Sequence, residues 1–176
     1  MGTLIDDLLN FSRMGRVEMK REQVDMGRLA REAVAQTESE TTGRDIQWEI
    51  AELPQVNGDR ALLKQVFVNL ISNAAKYTRH RERAEIRIDC RCLEQEAEFR
   101  VQDNGAGFEM QYVHKLFGVF QRLHSADEFE GTGIGLANVR RIVVRHGGRT
   151  WAEGKPGAGA TIYFTIPTIK PDTYHA

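Results

Sequence analysis

Apolar residues recur along this chain in two rhythms, one of three to four residues and one of two, and the alternation between them predicts an order of helices and strands. The opening MGTLIDDLLNFSRMG carries Leu4, Ile5, Leu8, Leu9 and Phe11 mostly at helical spacing, an apolar stripe that needs a partner helix. The next residues, RVEMKREQV, are charged and read as a linker. VDMGRLAREAVAQTESETTGR predicts a second helix, capped by Asp25 and closed near Gly43. Short strands follow at IQWEI and around Gln55 to Asn57, and a long helix runs from about Asp59 to Tyr77.

Beyond that helix the period changes to two. AEIRIDCRCLE and AEFRVQD, parted by Gln95 and Glu96, predict an antiparallel hairpin whose second strand ends in DNGAGF. A short helix near Glu109 to Leu116 leads into GVFQRLHSADEFEGTG, a polar segment suited to a mobile surface loop. A helix over Ile134 to His146 and the strands RTWAE and ATIYFTIP, joined by GKPGAG, close the pattern. The expectation is an α/β sandwich of antiparallel strands with helices on one face, the hairpins leaving no room for parallel crossovers.

Composition narrows the function. At 176 residues and 41% hydrophobic, the chain can bury one ordinary core. A net charge of -1 supplies no global attraction to nucleic acid or to a membrane surface, so no nucleic-acid partner is expected. No apolar run approaches the roughly 18 residues that span a bilayer, and no signal peptide opens the chain, so a cytoplasmic location is expected. Cys90 and Cys92 alternate on one strand face; packing accounts for them, and metal binding would need further ligands.

Three places carry candidate chemistry. On the long helix, Leu63, Val66, Phe67, Leu70, Ile71 and Ala74 form a core face, while Gln65, Asn69, Ser72, Asn73 and Lys76 line another. Short amides replace the long charged side chains of an ordinary solvated face, and two asparagines in mid-helix each cost roughly half a kcal/mol against alanine. In DNGAGF, Asp103 closes a strand and Gly105 and Gly107 let the chain turn back, which by itself is also a plain loop signal. In EGTGIGLANV, glycines 131, 133 and 135 run into a helix start, a place where bare amides and the helix dipole favour phosphate. That turn is not a dinucleotide fingerprint, since Leu136 stands where the last glycine belongs and a polar loop precedes it. It also lacks the Lys-Ser/Thr ending of a P-loop.

Together NLISNAAKYT, DNGAGF, KLFGVF, EGTGIGLA and GATIYFTIP, in this order, resemble the catalytic and ATP-binding domain of two-component sensor histidine kinases, members of the GHKL ATPase superfamily. The resemblance runs from about Val24 to Pro167. LIDDLLNFSRMGR resembles the end of that family's second dimerisation helix, and LFGVFQRLHSADEFEGTGIGLANV looks most like kinases with PAS or phytochrome-type sensors. It implies a mixed, mostly antiparallel sheet with helices on one face, the Bergerat-type ATP-binding fold, plus an N-terminal helix. The implied division is residues 1–23 as helix end and linker, 24–168 as catalytic domain and 169–176 as tail.

The site residues implied by the resemblance follow position by position. Asn73 would offer its amide oxygen to Mg2+ on the triphosphate of ATP, with Asn69 one turn earlier beside the phosphates. Lys76 would neutralise phosphate charge and Tyr77 would flank the nucleotide. Asp103 would accept from the adenine amino group, which selects against guanine because guanine presents an acceptor there. Gly105 and Gly107 would let the backbone lie against the purine. Residues 118–131 would form an ATP lid with Arg122 a candidate for the γ-phosphate, and Gly131, Gly133, Gly135 and the Leu136 backbone would hold the phosphates.

Hydrolytic members of the superfamily, such as the ATPase of DNA gyrase and the heat-shock chaperone ATPase, use a glutamate one turn before the metal-binding asparagine to activate water. Here that position is Asn69, an amide that cannot take a proton, so slow hydrolysis is expected. The family's acceptor histidine is followed by an acidic residue and then proline, and His80, His114, His124, His146 and His175 all lack that pattern. The chain therefore reads as a fragment that binds Mg-ATP without phosphorylating itself. Its implied partners are the dimerisation and phosphoacceptor domain of the same kinase, in a homodimer, and the receiver domain of a response regulator. Two alternatives remain, a serine-directed partner-switching kinase of the same superfamily and a non-catalytic ATP-sensing module.

Overall fold

Residues 3–118 and 134–168 are described by the computed structural model of the chain. Helix α1 spans Thr3–Met14, strand β1 Arg21–Asp25, helix α2 Met26–Glu40, β2 Ile46–Ile50, β3 Gln55–Asp59 and helix α3 Arg60–Tyr77. Strands β4, Ala84–Cys92, and β5, Glu96–Asp103, follow, then a short 3-10 helix over Met110–Lys115. Helix α4, Gly135–Arg145, and strands β6, Thr150–Lys155, and β7, Gly159–Pro167, come last.

Strands β1 and β3 make a two-stranded ribbon, and the remaining five make a sheet in the order β2-β4-β5-β7-β6. Pairing in that sheet is antiparallel except between β2 and β4, which run parallel. This corrects the expectation of no parallel crossover. Strand β3 and the 18-residue α3 lie between β2 and β4 in sequence, and they supply the length that a parallel return needs.

The stretch read as a charged linker is corrected too, because Arg21, Glu22 and Gln23 belong to β1 and pair with Asp59, Gly58 and Asn57. Only Val24 of β1 is buried, so its sequence carries no alternation by which a strand could be recognised. Its conformation comes from the partner strand.

Helices α2, α3 and α4 share one apolar cluster with β4, β5 and β7. Along β5 the period of two puts Ala97, Phe99, Val101 and Asp103 on the buried side. Phe67 of α3 meets Phe99 and Phe164 edge-on at 6.3 and 5.7 Å between ring centres, and Phe99 stacks on Phe164 at 4.9 Å. Of the tryptophans, Trp48 is partly buried against the core and Trp151 stacks on Tyr163.

Helix caps tie these layers together. Asp25 caps α2 through the Arg28 amide, and Asp59 caps α3 through the Leu62 amide at 3.0 Å while also accepting from the Lys20 amide at 2.9 Å. The Asp59 amide in turn donates to His146 Nε2 at 3.0 Å, and His146 Nδ1 lies 2.7 Å from the Ile142 carbonyl. With Nε2 accepting, the ring carries its proton on Nδ1 and joins the end of α4 to the start of α3.

Burial holds the His146 imidazole below its usual pKa, against the opposing pull of its bond to Ile142. The unfolded chain therefore takes up this proton first. The stability contributed by the neutral ring is complete above about pH 6.5 and falls as pH drops below it. His146→Ala should cost about 2 kcal/mol at neutral pH, since it leaves the buried Asp59 amide without an acceptor. Denaturation curves for both proteins should draw together towards the acid end of the range.

Candidate functional site

Strand β5 delivers a carboxylate to the helix-facing side of the sheet, where its register otherwise places apolar residues. Asp103 is 8% exposed, and burial pushes its carboxyl up to about 6, with the Gly105 and Ala160 amides pulling in the other direction. The Gly105 amide donates to Asp103 Oδ1 at 2.8 Å. The next amide, of Ala106, donates to the Tyr77 carbonyl at the end of α3 at 3.0 Å. A Cβ on Gly105 would lie 2.3 Å from that carbonyl oxygen, and one on Gly107, at φ 66°, would lie 1.9 Å from the Lys155 carbonyl. Both positions therefore require glycine.

Residues that sequence reasoning missed hold this loop. Asn104 accepts from the Glu85 amide at 2.9 Å and donates to the Arg83 carbonyl at 3.1 Å. Arg81 donates to the carbonyls of Asn104 at 2.7 Å and Gly105 at 3.2 Å, and also to that of Gly157. Neither role leaves a local signal in the sequence, because each partner is far along the chain.

At the other end of the site, the amide stripe of α3 faces the first turn of α4. Asn69, Asn73, Lys76 and Tyr77 are half-buried, whereas Ser72 is exposed and stands apart from them. Gln65 Nε2 donates to Asn69 Oδ1 at 3.0 Å, and Asn69 Nδ2 donates to the Gly135 carbonyl at 3.2 Å. The Asn73 amide would be an ordinary contact, at 3.9 and 4.0 Å, for a Cβ placed on Gly135. Lys76 Nζ sits 4.8 Å from the centre of the Tyr77 ring. Among the described residues, helix α4 has no side-chain cap and no acidic residue in its first turn, an arrangement whose dipole and leading amides suit an anion.

Six residues, Asp7 and Asn10 of α1, Gln65 and Asn69 of α3, and Gly135 and Asn138 at the start of α4, line a cavity of about 250 Å3. Asn138 is 7% exposed and its Oδ1 has no hydrogen-bond partner. Its position one turn after Ile134 and one before Ile142, on an otherwise apolar stripe, is the sequence signal by which it can be found. Helix α1 reaches this cavity because Arg141 stacks on the Phe11 ring at 4.4 Å and donates to the Phe11 carbonyl at 3.1 Å.

The two ends are joined by α3. Eight residues of helix separate Asn69 from Tyr77, about 12 Å, which suits an extended ligand with a flat ring at one end and anionic groups at the other. Asn73 supplies an amide oxygen of the kind hard cations accept, whereas the described residues contain no cluster of three or more His, Cys, Asp and Glu to hold a metal by themselves. Cys90 and Cys92 are both thiols, and burial with the neighbouring Cys92 pushes Cys90 up to about 12, leaving it unreactive. Leu136 is half-buried against the core. Arg122, Gly131 and Gly133 lie outside the described residues.

A mixed sheet covered by helices, with a buried carboxylate and glycine loop facing an asparagine stripe and an uncapped helix start, defines an ATP-binding domain of the GHKL type. The chain belongs to the family described as histidine kinase-, DNA gyrase B-, and HSP90-like ATPase, whose pattern matches residues 58–170. It is the catalytic ATP-binding domain of a sensor histidine kinase.

Similar proteins include the methanogenesis regulatory histidine kinase FilI of Methanothrix harundinacea, 38% identical over 96% of this chain and 19% of its own length. Cyanobacterial phytochrome A of a Nostoc species is 40% identical over 95% of this chain and 22% of its own. Among solved structures, full-length ShkA in complex with AMPPNP superposes with a TM-score of 0.78 at 27% identity, covering 96% of this chain and 36% of that one. The chain thus spans about a fifth of the length of those two curated relatives. No helix among the described residues is long and apolar enough to cross a membrane.

Burial of Asp103 gives a pH test. The free protein prefers this carboxyl protonated, so its stability falls as pH rises from about 4 to about 6, the reverse of the effect of His146. A ligand amino group that donates to this carboxylate, as the resemblance implies for adenine, would need the ionised form, and its binding should weaken as pH is lowered through about 6. Asp103→Asn should lower ATP affinity roughly tenfold or more at neutral pH and flatten that profile, as read by calorimetry.

Proposed function

We propose that this chain holds Mg-ATP and presents its γ-phosphate to a histidine outside the chain, from which the phosphoryl group passes to an aspartate of a response-regulator receiver domain. The observation that carries this reading is the two-ended site on α3. Asp103 and the Gly105–Gly107 loop select adenine at one end, and Asn69, Asn73 and Gly135 hold phosphates at the other.

Asn73 would hold Mg2+ through its amide oxygen, and the cation would supply positive charge that offsets the charge developing on the phosphates. Lys76 adds positive charge on the same face, Tyr77 flanks the base, and the leading amides of α4, with Gly131, Gly133 and the Leu136 backbone, cradle the phosphates. Arg122 is the candidate for the γ-phosphate. Asn69 cannot activate water as a carboxylate would, which favours transfer over hydrolysis.

The catalytic unit is assigned to residues 24–168, with β1 extending it back to Arg21. Residues 1–20, ahead of that strand, supply the end of a dimerisation helix and a linker, and 169–176 a tail. Its partners are the dimerisation and phosphoacceptor domain of the same kinase, in a homodimer, and the receiver domain. The apolar stripe on α1 supports that view, because Ile5, Leu8 and Leu9 are exposed. The unit operates in the cytoplasm.

The test is transfer in trans. This chain, a separately made dimerisation fragment bearing the acceptor histidine, and labelled Mg-ATP should yield acid-labile, base-stable phosphate on the fragment and none on this chain. Label on this chain, or acid-stable phosphoserine on an added protein, would overturn the reading. Asn73→Ala should retain part of the nucleotide affinity but lose its dependence on Mg2+, as measured by titration with and without a chelator.

A further inference from the structure

The amide relay across the phosphate end carries information that neither asparagine holds alone. A primary amide can turn either its oxygen or its NH2 group towards a ligand, and only its hydrogen bonds decide which. Asn69 projects from the middle of α3, one turn from Gln65 on one side and one turn from Asn73 on the other. Its oxygen accepts from Gln65 Nε2 at 3.0 Å, and its nitrogen donates to the Gly135 carbonyl at 3.2 Å. All three partners are half-buried, so water competes weakly for these bonds.

We propose that Gln65 is a positioning residue: with the Gly135 carbonyl, which can only accept, holding Asn69 Nδ2, Gln65 engages the Asn69 oxygen, reinforces Asn69 as a donor to phosphate and keeps that oxygen away from the metal. This deepens the function proposed above and rests on it. The Gly135 carbonyl takes one hydrogen of Asn69 Nδ2, which leaves the second as a donor for a phosphate oxygen in the cavity that Asn69 lines. A divalent cation near Asn73 attracts any amide oxygen within reach. The Gln65 donor engages the Asn69 oxygen, so Asn69 stays on α4 and the cation is left to Asn73. Without Gln65, Asn69 can rotate its oxygen towards the cation. The Gly135 carbonyl then loses its donor, and the amides at the start of α4 lose their fixed distance from α3.

The relay touches the phosphate end only. The adenine end is built from Asp103, the Gly105–Gly107 loop and Arg81, none of which bonds to Gln65. Its loss should therefore separate two affinities measured on one protein.

Calorimetric titration of the chain with AMP and with a non-hydrolysable ATP analogue, each with Mg2+, tests this. Gln65→Met keeps the length of the side chain and removes the amide. Its preference for the triphosphate over AMP should fall roughly tenfold, with AMP affinity unchanged. Asn69→Ala should reduce the same preference, and Gln65→Met combined with Asn69→Ala should lose no more than Asn69→Ala alone, because Gln65 acts through Asn69. Equal losses for AMP and the triphosphate, or additive losses in the double variant, would overturn the inference while leaving the function reading intact. Absence of nucleotide binding by the unaltered chain would overturn both.

Discussion

Helix α3 has to satisfy two environments along a single length of 18 residues, and the rest of the structure is arranged around that demand. One side, through Leu63, Phe67, Leu70, Ile71 and Ala74, packs into the aromatic trio with Phe99 and Phe164. The adjacent side is a row of amides and a lysine that could not be buried against apolar neighbours without loss. The first turn of α4, rich in backbone polar groups, is laid against it. Asn69 donates to the Gly135 carbonyl and Asn73 lies beside it, so the packing of two helices also shapes the end of the site proposed for phosphate.

The opposite end works by a controlled violation of the sheet pattern. A strand that buries Ala97, Phe99 and Val101 places Asp103 in the same row, and the desolvated carboxyl rises to about 6. Its bonds to the Gly105 and Ala160 amides limit the cost without removing it. A desolvated carboxyl of this kind is stabilised by a ligand group that donates to it, which is the role proposed for it above. Rigid support is supplied by Asn104 and Arg81, and glycine is compulsory where the loop presses on Tyr77 and Lys155.

Helix α1 shares a wall of the phosphate cavity through Asp7 and Asn10 while its own apolar residues Ile5, Leu8 and Leu9 face outwards. Arg141 holds it by a ring contact and one carbonyl bond. The helix thus meets the start of α4 on one side and leaves an apolar stripe exposed on another.

The helices and the strands of the main sheet, the two stripes of α3, the cap at Asp25 and the turn at DNGAGF were legible in the sequence, because each depends on residues within a turn or two of one another. Strand β1, the parallel pairing of β2 with β4, the Arg81 and Asn104 anchors and the His146–Asp59 bond were not. They join atoms between 19 and 87 residues apart, and no local periodicity records such a partner. The family resemblance assigned Asn73 to the metal and Asn69 to the phosphates, but not what orients the Asn69 amide. Which end of an amide faces a ligand is decided by hydrogen bonds to Gln65 and Gly135, and those exist only once α4 has packed on α3.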